Sequence, residues 1–518
     1  MRRRSSSSLL VFFAVFLALG TLTGSISGQK TNADPYVKGE LLVKFAGGTA
    51  SKAARDANQQ LGASVLETFE DLGWQRVRLP EGTNVDQAIA QYNDLDGVEH
   101  AQPNFYYHLL LTPNDPQFVN PPGMYGLTKI SAPAAWDLSA GSSSVVVADI
   151  DTGMRLTHED LVANLWINPG EIAGNSIDDD GNGFIDDVNG WDFFFNIASP
   201  ADQHGHGTHT AGTIGAVGNN LLGVTGVNWS VKIIPIKIYN ATGNGTTSSM
   251  LVNAYNYVRM MKVRGINIRV TNNSYGGCDE ACGYDQATKD AIDALGDAGV
   301  LNVFAAGNSG MNNDTTPFYP ATYTSPSIMS VGGSTETDAR IFNYGATTVD
   351  LAAPATNIQS TTWISNSSYG PSSGTSMATP HAAGAAALLT SLNPALSVAS
   401  LKATLMNTVD QIAAFSGFNK TGGRLNVDRA LRNQTVCTFP TAMTVPTKGG
   451  VFSVNLTPGQ NCDYFVKSNT NWIKVLSAGQ LSGNGTITFR VTVNPTITRT
   501  GTISIGGQTF TIRQSRSG

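Results

Sequence analysis

The chain has 518 residues, with 32 Lys+Arg against 38 Asp+Glu and a formal net charge of −6; that balance leaves no large basic face and argues against nucleic acid as a partner. Charged residues make up 14 %, against about 25 % in ordinary globular proteins, which excludes coiled coil and charged disorder. The 55 glycines predict many tight turns, and at roughly 150 residues per domain the length predicts three or four units.

Residues 1–28 read as a signal peptide. Arg2, Arg3 and Arg4 precede an apolar run from Leu9 to Leu19, and the small residues Gly24–Gly28 offer a cleavage site. The run falls short of the ~20 apolar residues of a membrane helix, so the expectation is a secreted, extracellular protein. Residues 34–108 read as a small α+β unit of order βαββαβ, a split βαβ sandwich. Its strands lie near Leu41–Phe45, Val65–Phe69, Gln75–Leu79 and from Val98, and its helices run through Ala53–Leu61 and Val85–Tyr92.

From 113 to 431, short β-branched runs alternate with helical patterns. The strands are expected at Val145–Ile150, Val231–Ile238, Ile266–Val270, Val300–Ala305, Ile328–Val331 and Val349–Leu351, and helices at Thr247–Val263, Tyr284–Leu295 and Ser376–Leu392. Such alternation predicts an α/β domain with a mainly parallel sheet flanked by helices and with its chemistry beyond the carboxyl ends of the strands. A Pro/Thr-rich linker is expected at 432–446. Residues 447–518 then alternate with period two, in runs beginning at Val451, Trp472, Thr486, Thr500 and Thr509, as an all-β sandwich does.

Cys278, Cys282, Cys437 and Cys462 suit an oxidising compartment. Of three connectivities, the local pairs Cys278–Cys282 and Cys437–Cys462 are favoured, since each lies inside one unit; a four-cysteine metal site lacks a nearby His at zinc-like spacing.

Three segments carry chemistry. Val145–Gly153 ends a strand on Asp151; Gly205–Gly212 places His206 between glycines before a small-residue helix; Ser373–His381 puts Ser376 at a helix start, with Pro380 expected in the first turn. Serine is a weak nucleophile, so hydrolysis needs a base for its proton and a buried acid to orient that base. In this order, DTG, HGTHTAG and GTSMATPH resemble the three motif blocks of the subtilisin-like serine proteases, over about 113–430.

The resemblance implies that Asp151 orients the imidazole, His206 acts as base and then acid, and Ser376 forms an acyl-enzyme. Val303–Asn308 resembles the block that places an Asn at the oxyanion, so Asn308 joins the Ser376 N–H there. Asn273–Gly277 resembles the substrate strand. Ser274, Tyr275 and Gly276 would form one wall of the primary pocket and Ala305, Ala306 and Gly307 the other, with Phe318 shortening its base. His158, His204, His209 and His381 read as structural or surface residues. Met377 adjoins the nucleophile, and oxidation of its thioether is expected to abolish activity in mild peroxide.

Residues 178–187 hold five carboxylates, for which a hard cation is the natural compensation; Ca²⁺ ligands are expected at Asp178, Asp180, Asn182, Asp186 and the Phe184 carbonyl. Asn189 stands where an EF-hand would place its bidentate Glu. A second calcium site follows only from the family resemblance: Pro113–Phe118 resembles a mature amino terminus of thermitase-like enzymes and Gly218–Val224 a calcium loop. Asp115, Asp160 and Asn220 would then share an ion, with Asn219 the alternative to Asn220.

Residues 34–108 resemble the inhibitor propeptide of the same family, which implies a zymogen that cuts itself between Tyr107 and Thr112. The sandwich resembles BACON-type domains, on Gly449-Gly450, Asn461-Cys462, Trp472-Ile473 and Arg499–Ile503, which implies a glycan or cell-surface ligand; Trp472 itself reads as core more readily than as a sugar platform. The expected protein is a monomeric, calcium-stabilised endopeptidase acting on polypeptides. Its rivals are a narrow processing protease and an inactive surface-binding protein.

Overall fold

The computed structural model describes residues 36–105, 111–120, 123–277, 283–459, 462–477, 480–494, 498–506 and 508–515. The expected signal peptide, the Cys278–Cys282 pair and all of the expected maturation stretch except Leu111 and Thr112 lie outside them. Among the described residues no helix is long and apolar enough to cross a membrane.

The amino-terminal unit has strands Tyr36–Phe45, Ser64–Phe69, Trp74–Arg78 and Val98–Phe105 and helices Lys52–Gln60 and Val85–Asn93, in the predicted order. The sheet is antiparallel, and the first strand lies between the third and fourth, as a split βαβ arrangement requires. Each helix starts at a polar cap: Ser51 accepts from the Ala54 N–H and Asn84 from that of Gln87. Leu41, Val43, Phe45, Val77 and Tyr92 form its core.

Residues 109–518 form a second compact unit, built on a nine-stranded sheet. In spatial order its strands are Asp410–Gln411, Gly423–Arg424, Leu351–Pro354, Ile328–Ser334, Leu301–Ala305, Ile268–Asn273, Gly141–Asp151, Ser230–Lys237 and Trp191–Asp192. All neighbours are parallel except the first pair, which is antiparallel. From Gly141–Asp151 the chain first extends the sheet one way, through Ser230–Lys237, and then the other, through Ile268–Asn273. Asp151 therefore ends the strand at the topological switch point, where parallel sheets leave a crevice.

Two strands run further than their apolar signal. Ile268–Asn273 and Leu351–Pro354 replace the expected 266–270 and 349–351. Asn272 and Asn273 are fully buried because their side chains are hydrogen-bonded inside the sheet, which an apolar pattern cannot register. The helix Val398–Asn407 was not expected; Ser397 caps it by accepting from the Ser400 N–H. The 18-residue helix Thr375–Leu392 is buried over most of its length. The small side chains of Ala382–Ala387 let it cross close to the sheet.

The carboxyl-terminal sandwich pairs a five-stranded with a three-stranded sheet. The stretch 432–446 is not a linker. Cys437 and Phe439 are buried in the sandwich core, and Ala442–Val445 runs parallel to Gln508–Gln514. The Cys437–Cys462 bond ties this segment to the residue just before the strand Asp463–Ser468. Ala399 and Ala403, from the helix Val398–Asn407, belong to the same apolar cluster, so the core is continuous across the expected boundary.

Candidate active site

Period-two alternation along the buried strand Gly141–Asp151 sends Asp149 and Asp151 to one face. Asp151 is 1 % exposed, and its Oδ1 accepts from the Thr152 N–H at 2.7 Å. His206 opens the helix His206–Gly215. The helix can approach because Gly207 has no side chain: a Cβ there would lie 2.2 Å from the Gly153 carbonyl oxygen. His206 Nδ1 stands 2.7 and 2.9 Å from the two Asp151 oxygens, so Nδ1 carries the proton and Nε2 is free to accept one. Burial lowers the basicity of the ring, but the Asp151 charge and hydrogen bond outweigh it, and the net shift is upward.

Ser376 is the second residue of the helix Thr375–Leu392. Pro380 is therefore sixth in the helix, not in the first turn as expected. Its missing N–H leaves the Ser376 carbonyl without a helical donor, and the Ser274 hydroxyl takes that place at 2.9 Å. In return the Ser376 hydroxyl donates to the Ser274 carbonyl at 3.0 Å. Among the described residues Ser376 Oγ makes no hydrogen bond to His206; catalytic bonds of this kind often tighten only when substrate is bound.

Asn308 follows the strand Leu301–Ala305. Its Oδ1 accepts from the Thr375 N–H at 2.8 Å and the Thr375 hydroxyl at 3.0 Å. This fixes the amide and leaves Nδ2 as donor beside Gly374, where a Cβ would sit 3.3 Å from it. Asn308 Nδ2 and the start of the Ser376 helix thus offer donors in one place.

Ser274, Tyr275 and Gly276 continue the strand Ile268–Asn273, and Ala305, Ala306 and Gly307 end the neighbouring one. The Phe318 ring lies against both. A Cβ on Gly276, Gly277 or Gly307 would fall 2.7, 2.3 or 3.0 Å from its edge atoms. Met377 is 1 % exposed, which removes the premise of ready oxidation. The other buried histidines are held by backbone: His209 by the Ile358 carbonyl, His381 by that of Met377 and His158 by that of Ser368. Burial pushes His209 and His381 down to about 4, so neither is a base of the cleft.

Sequence reasoning missed several neighbours. Thr375 orients Asn308. Thr210 and Asn272 hydrogen-bond to Asp149, a second carboxylate behind the first. Trp363, 40 % exposed, packs on Gly205, where a Cβ would lie 2.1 Å from the indole. The period-two placement of Asp149 beside Asp151 was readable; the rest arises from loops meeting in space.

The acidic loop differs from its expected form. Asp178 and Asp180 come together with Glu171, each offering an oxygen within 4.8 Å of the others. Asp186 instead accepts from the Gly174, Asn175 and Ser176 N–H groups, because its left-handed backbone turns it back onto that segment. Asn182 donates to Asp180 and Asp187 and accepts from the Phe184 N–H, and the Phe184 ring packs among Trp191, Phe193 and Tyr257. Asp187, also missed, accepts from Tyr257, Asn168 and Asn182, and burial pushes it up to about 6.

At the second expected metal site Asp115 accepts from the Asn219 and Asn220 N–H groups, and the Asn220 side chain donates to Asp160. Asp115 and Asp160 are fully buried, and burial raises both. In the sandwich, the Arg499 guanidinium lies 4.0 Å over the Trp472 ring, and Gly501 touches the ring edge; that leaves Trp472 a covered side chain rather than an open platform for a sugar.

Residues 142–433 match the family model of the subtilase family, and residues 25–104 match that of the fervidolysin N-terminal prodomain. A thermophilic serine proteinase of Bacillus sp. (strain AK1) is 31 % identical over 76 % of this chain and 86 % of its own. Thermitase of Thermoactinomyces vulgaris is 34 % identical over 62 % of this chain and 99 % of its own. A solved protease structure from Pseudoalteromonas arctica superposes with a TM-score of 0.50 at 28 % identity, covering 62 % of this chain and 99 % of that one.

Proposed function

The chain belongs to the subtilase family and is a serine endopeptidase with a prodomain, and from that premise we propose that Asp151, His206 and Ser376 are its catalytic triad. Ser376 Oγ leaves the Ser274 carbonyl and attacks the scissile carbonyl while His206 Nε2 takes its proton. Asp151 holds the ring and stabilises the imidazolium. Asn308 Nδ2 and the Ser376 N–H receive the oxyanion. His206 then gives its proton to the departing amine, and water attacks the acyl-enzyme by the same route. The observation that carries this reading is the clamp of both Asp151 oxygens on His206 Nδ1.

An extended polypeptide adds alongside Ser274–Gly276 through its backbone, with its P1 side chain between that wall and Ala305–Gly307. Phe318 limits the depth, so modest P1 side chains are preferred. The protein is exported through its amino-terminal apolar run. Residues 34–108 act as intramolecular inhibitor until cleavage between Tyr107 and Thr112.

Ca²⁺ stabilises two loops. The oxygens of Glu171, Asp178 and Asp180 suit a hard cation, and so do those of Asp115 and Asp160, two buried like charges near Asn220 that lack a basic partner among the described residues. The decisive experiment compares purified parent and Ser376→Ala. The parent is expected to yield a new amino terminus between Tyr107 and Thr112 and to be labelled at Ser376 by a fluorophosphonate. A Ser376→Ala chain that processes at the parental rate refutes the assignment.

A further inference from the structure

Behind Asp151 lies a second acidic side chain for which the steps above have no use. Asp149 is 2 % exposed. Its Oδ1 accepts from Asn272 Nδ2 at 2.8 Å, and its Oδ2 lies 2.9 Å from the Thr210 hydroxyl. Thr210 Oγ1 is also 3.0 Å from the Gly207 carbonyl oxygen. A hydroxyl has one proton, and neither a carbonyl nor a carboxylate oxygen can donate. Two full two-centre hydrogen bonds form at once when Asp149 Oδ2 carries a proton, the acid donating to Thr210 and Thr210 to Gly207, whereas an ionised Asp149 leaves the single Thr210 proton shared between two acceptors.

The surroundings agree. The charged or titratable groups facing Asp149 are Asp151 on its own strand and His206 on the helix that bears Thr210. In the flanking strands Pro235 and Asn272 stand beside it. Lys237 and Arg269 in those strands are committed to Asp192 and to the Pro394 and Leu396 carbonyls. The helix Thr375–Leu392, packed on the same strand, carries only the imidazole of His381, which is turned to the Met377 carbonyl. Among the described residues no cation pairs with Asp149, and burial, together with the Asp151 charge, raises its affinity for a proton.

The network continues into the cleft. Asn272 Nδ2 also donates to Ser274 Oγ at 3.1 Å, and Ser274 Oγ donates to the Ser376 carbonyl. We infer that Asp149 is a positioning residue of the hydrolytic site, a buried carboxylic acid that works in its neutral form and ties the helix carrying His206 to the strand carrying Ser274 and, through it, Ser376. This rests on the assignment of His206 and Ser376 as base and nucleophile. Neutrality matters to the base as well: a second anion beside Asp151 would hold His206 protonated to higher pH and withdraw it from catalysis.

The test uses the processed full-length enzyme and two variants. Asp149→Asn keeps the oxygen for Asn272 and supplies an N–H for Thr210, so kcat and KM are expected within about threefold of the parent. The acid limb of kcat/KM, which reports His206, is expected to coincide with the parent's. Asp149→Ala cuts the link, and kcat is expected to fall about tenfold or more at unchanged KM; if this variant fails to fold, Asp149→Asn decides alone.

An ionised Asp149 in the parent would reveal itself in Asp149→Asn as an acid limb moved to lower pH by about half a unit or more, and that overturns the inference. So does a folded Asp149→Asn with kcat reduced about tenfold or more, or an Asp149→Ala with parental kcat. Failure of a fluorophosphonate to label Ser376 in the parent would sink the triad assignment and this role together. Labelling of the parent with any of the overturning outcomes sinks this role only.

Discussion

In the proposed mechanism Asn308 would act through Nδ2 alone, because Thr375 holds its oxygen from two sides and leaves Nδ2 for the oxyanion. Replacing it by Ala deletes a donor needed most in the transition state. Loss of a single such donor costs roughly 10²–10³ in kcat in enzymes of this type; that fall, with KM little changed, is the expectation for Asn308→Ala in steady-state kinetics on a peptide ester. As the proposed base, His206 would set the pH response. Its proton affinity is raised in the folded enzyme, and only the neutral ring accepts the Ser376 proton, so kcat/KM is expected to fall as pH drops through that raised value. Asp151→Asn removes the charge that raises it; any residual activity is expected with its acid limb at lower pH. Phe318→Ala opens the space beside Gly276, Gly277 and Gly307 and is expected to raise cleavage after large aromatic residues in a peptide library. Of these residues, Asp151, His206, Ser376 and Asn308 were legible as candidates because each sits in a short contiguous motif that resembles a subtilase block. Thr375's grip on Asn308 was not, since 67 residues of chain separate the pair.

Elements were legible where burial is apolar and obscure where it is polar. The helix Ser248–Val263 follows its apolar spacing, whereas the strand Ile268–Asn273 ends in two buried asparagines that carry no apolar signal. The acidic loop failed for a related reason: spacing within 178–187 says nothing of Glu171, which reaches the loop through its side chain, accepting from the Asp180 and Asp186 N–H groups. Glu171, Asp178 and Asp180 draw their oxygens together with Arg264 pairing only Asp180, and the proposed divalent cation would relieve the repulsion that is left. Chelation is therefore expected to lower the thermal midpoint, and Asp178→Asn with Glu171→Gln to shrink that response, as measured by calorimetry with and without EDTA. The proposed second site at Asp115 and Asp160 is expected to leave a residual chelator effect in that double variant. Asp187 adds a pH signature. Its folded value of about 6 exceeds the unfolded value of about 3.9, so its contribution is present below pH ~4 and lost as pH rises through 6. Asp187→Asn is expected to remove that loss.

Across the second unit, the catalytic sheet and the carboxyl-terminal sandwich meet through a buried ionic contact as well as a shared core. Lys402, 4 % exposed, lies 3.0 Å from Asp463 and 3.5 Å from Asp350, and Lys420 lies 3.4 Å from Asp463. Lys402 belongs to the helix that also gives Ala399 and Ala403 to the sandwich core, and the Cys437 N–H donates to Ser400 on that helix. Composition marked 432–446 as a tether because it is rich in Pro and Thr, and could not show Cys437 and Phe439 turned inward. A tethered binding module would be removable; this arrangement is expected not to be, since cutting after Asn433 would bare an apolar helix face and strip Lys402 of Asp463. Burial alone would raise the Asp463 carboxyl, but Lys402 and Lys420 bring it down to about 2. Its stabilisation is thus full above the unfolded value of about 3.9 and lost as pH falls toward 2. For Lys402 the opposing carboxylates outweigh burial and raise it, so its contribution holds below about 10.4 and fades only above that. Asp463→Ala leaves a buried ammonium with Asp350 alone and is expected to cost about 3 kcal/mol, read as a lower urea midpoint at pH 7 with the gap from the parent closing toward pH 2. A truncation ending at Asn433 that keeps the parental midpoint would show instead that the sandwich is an independent appendage.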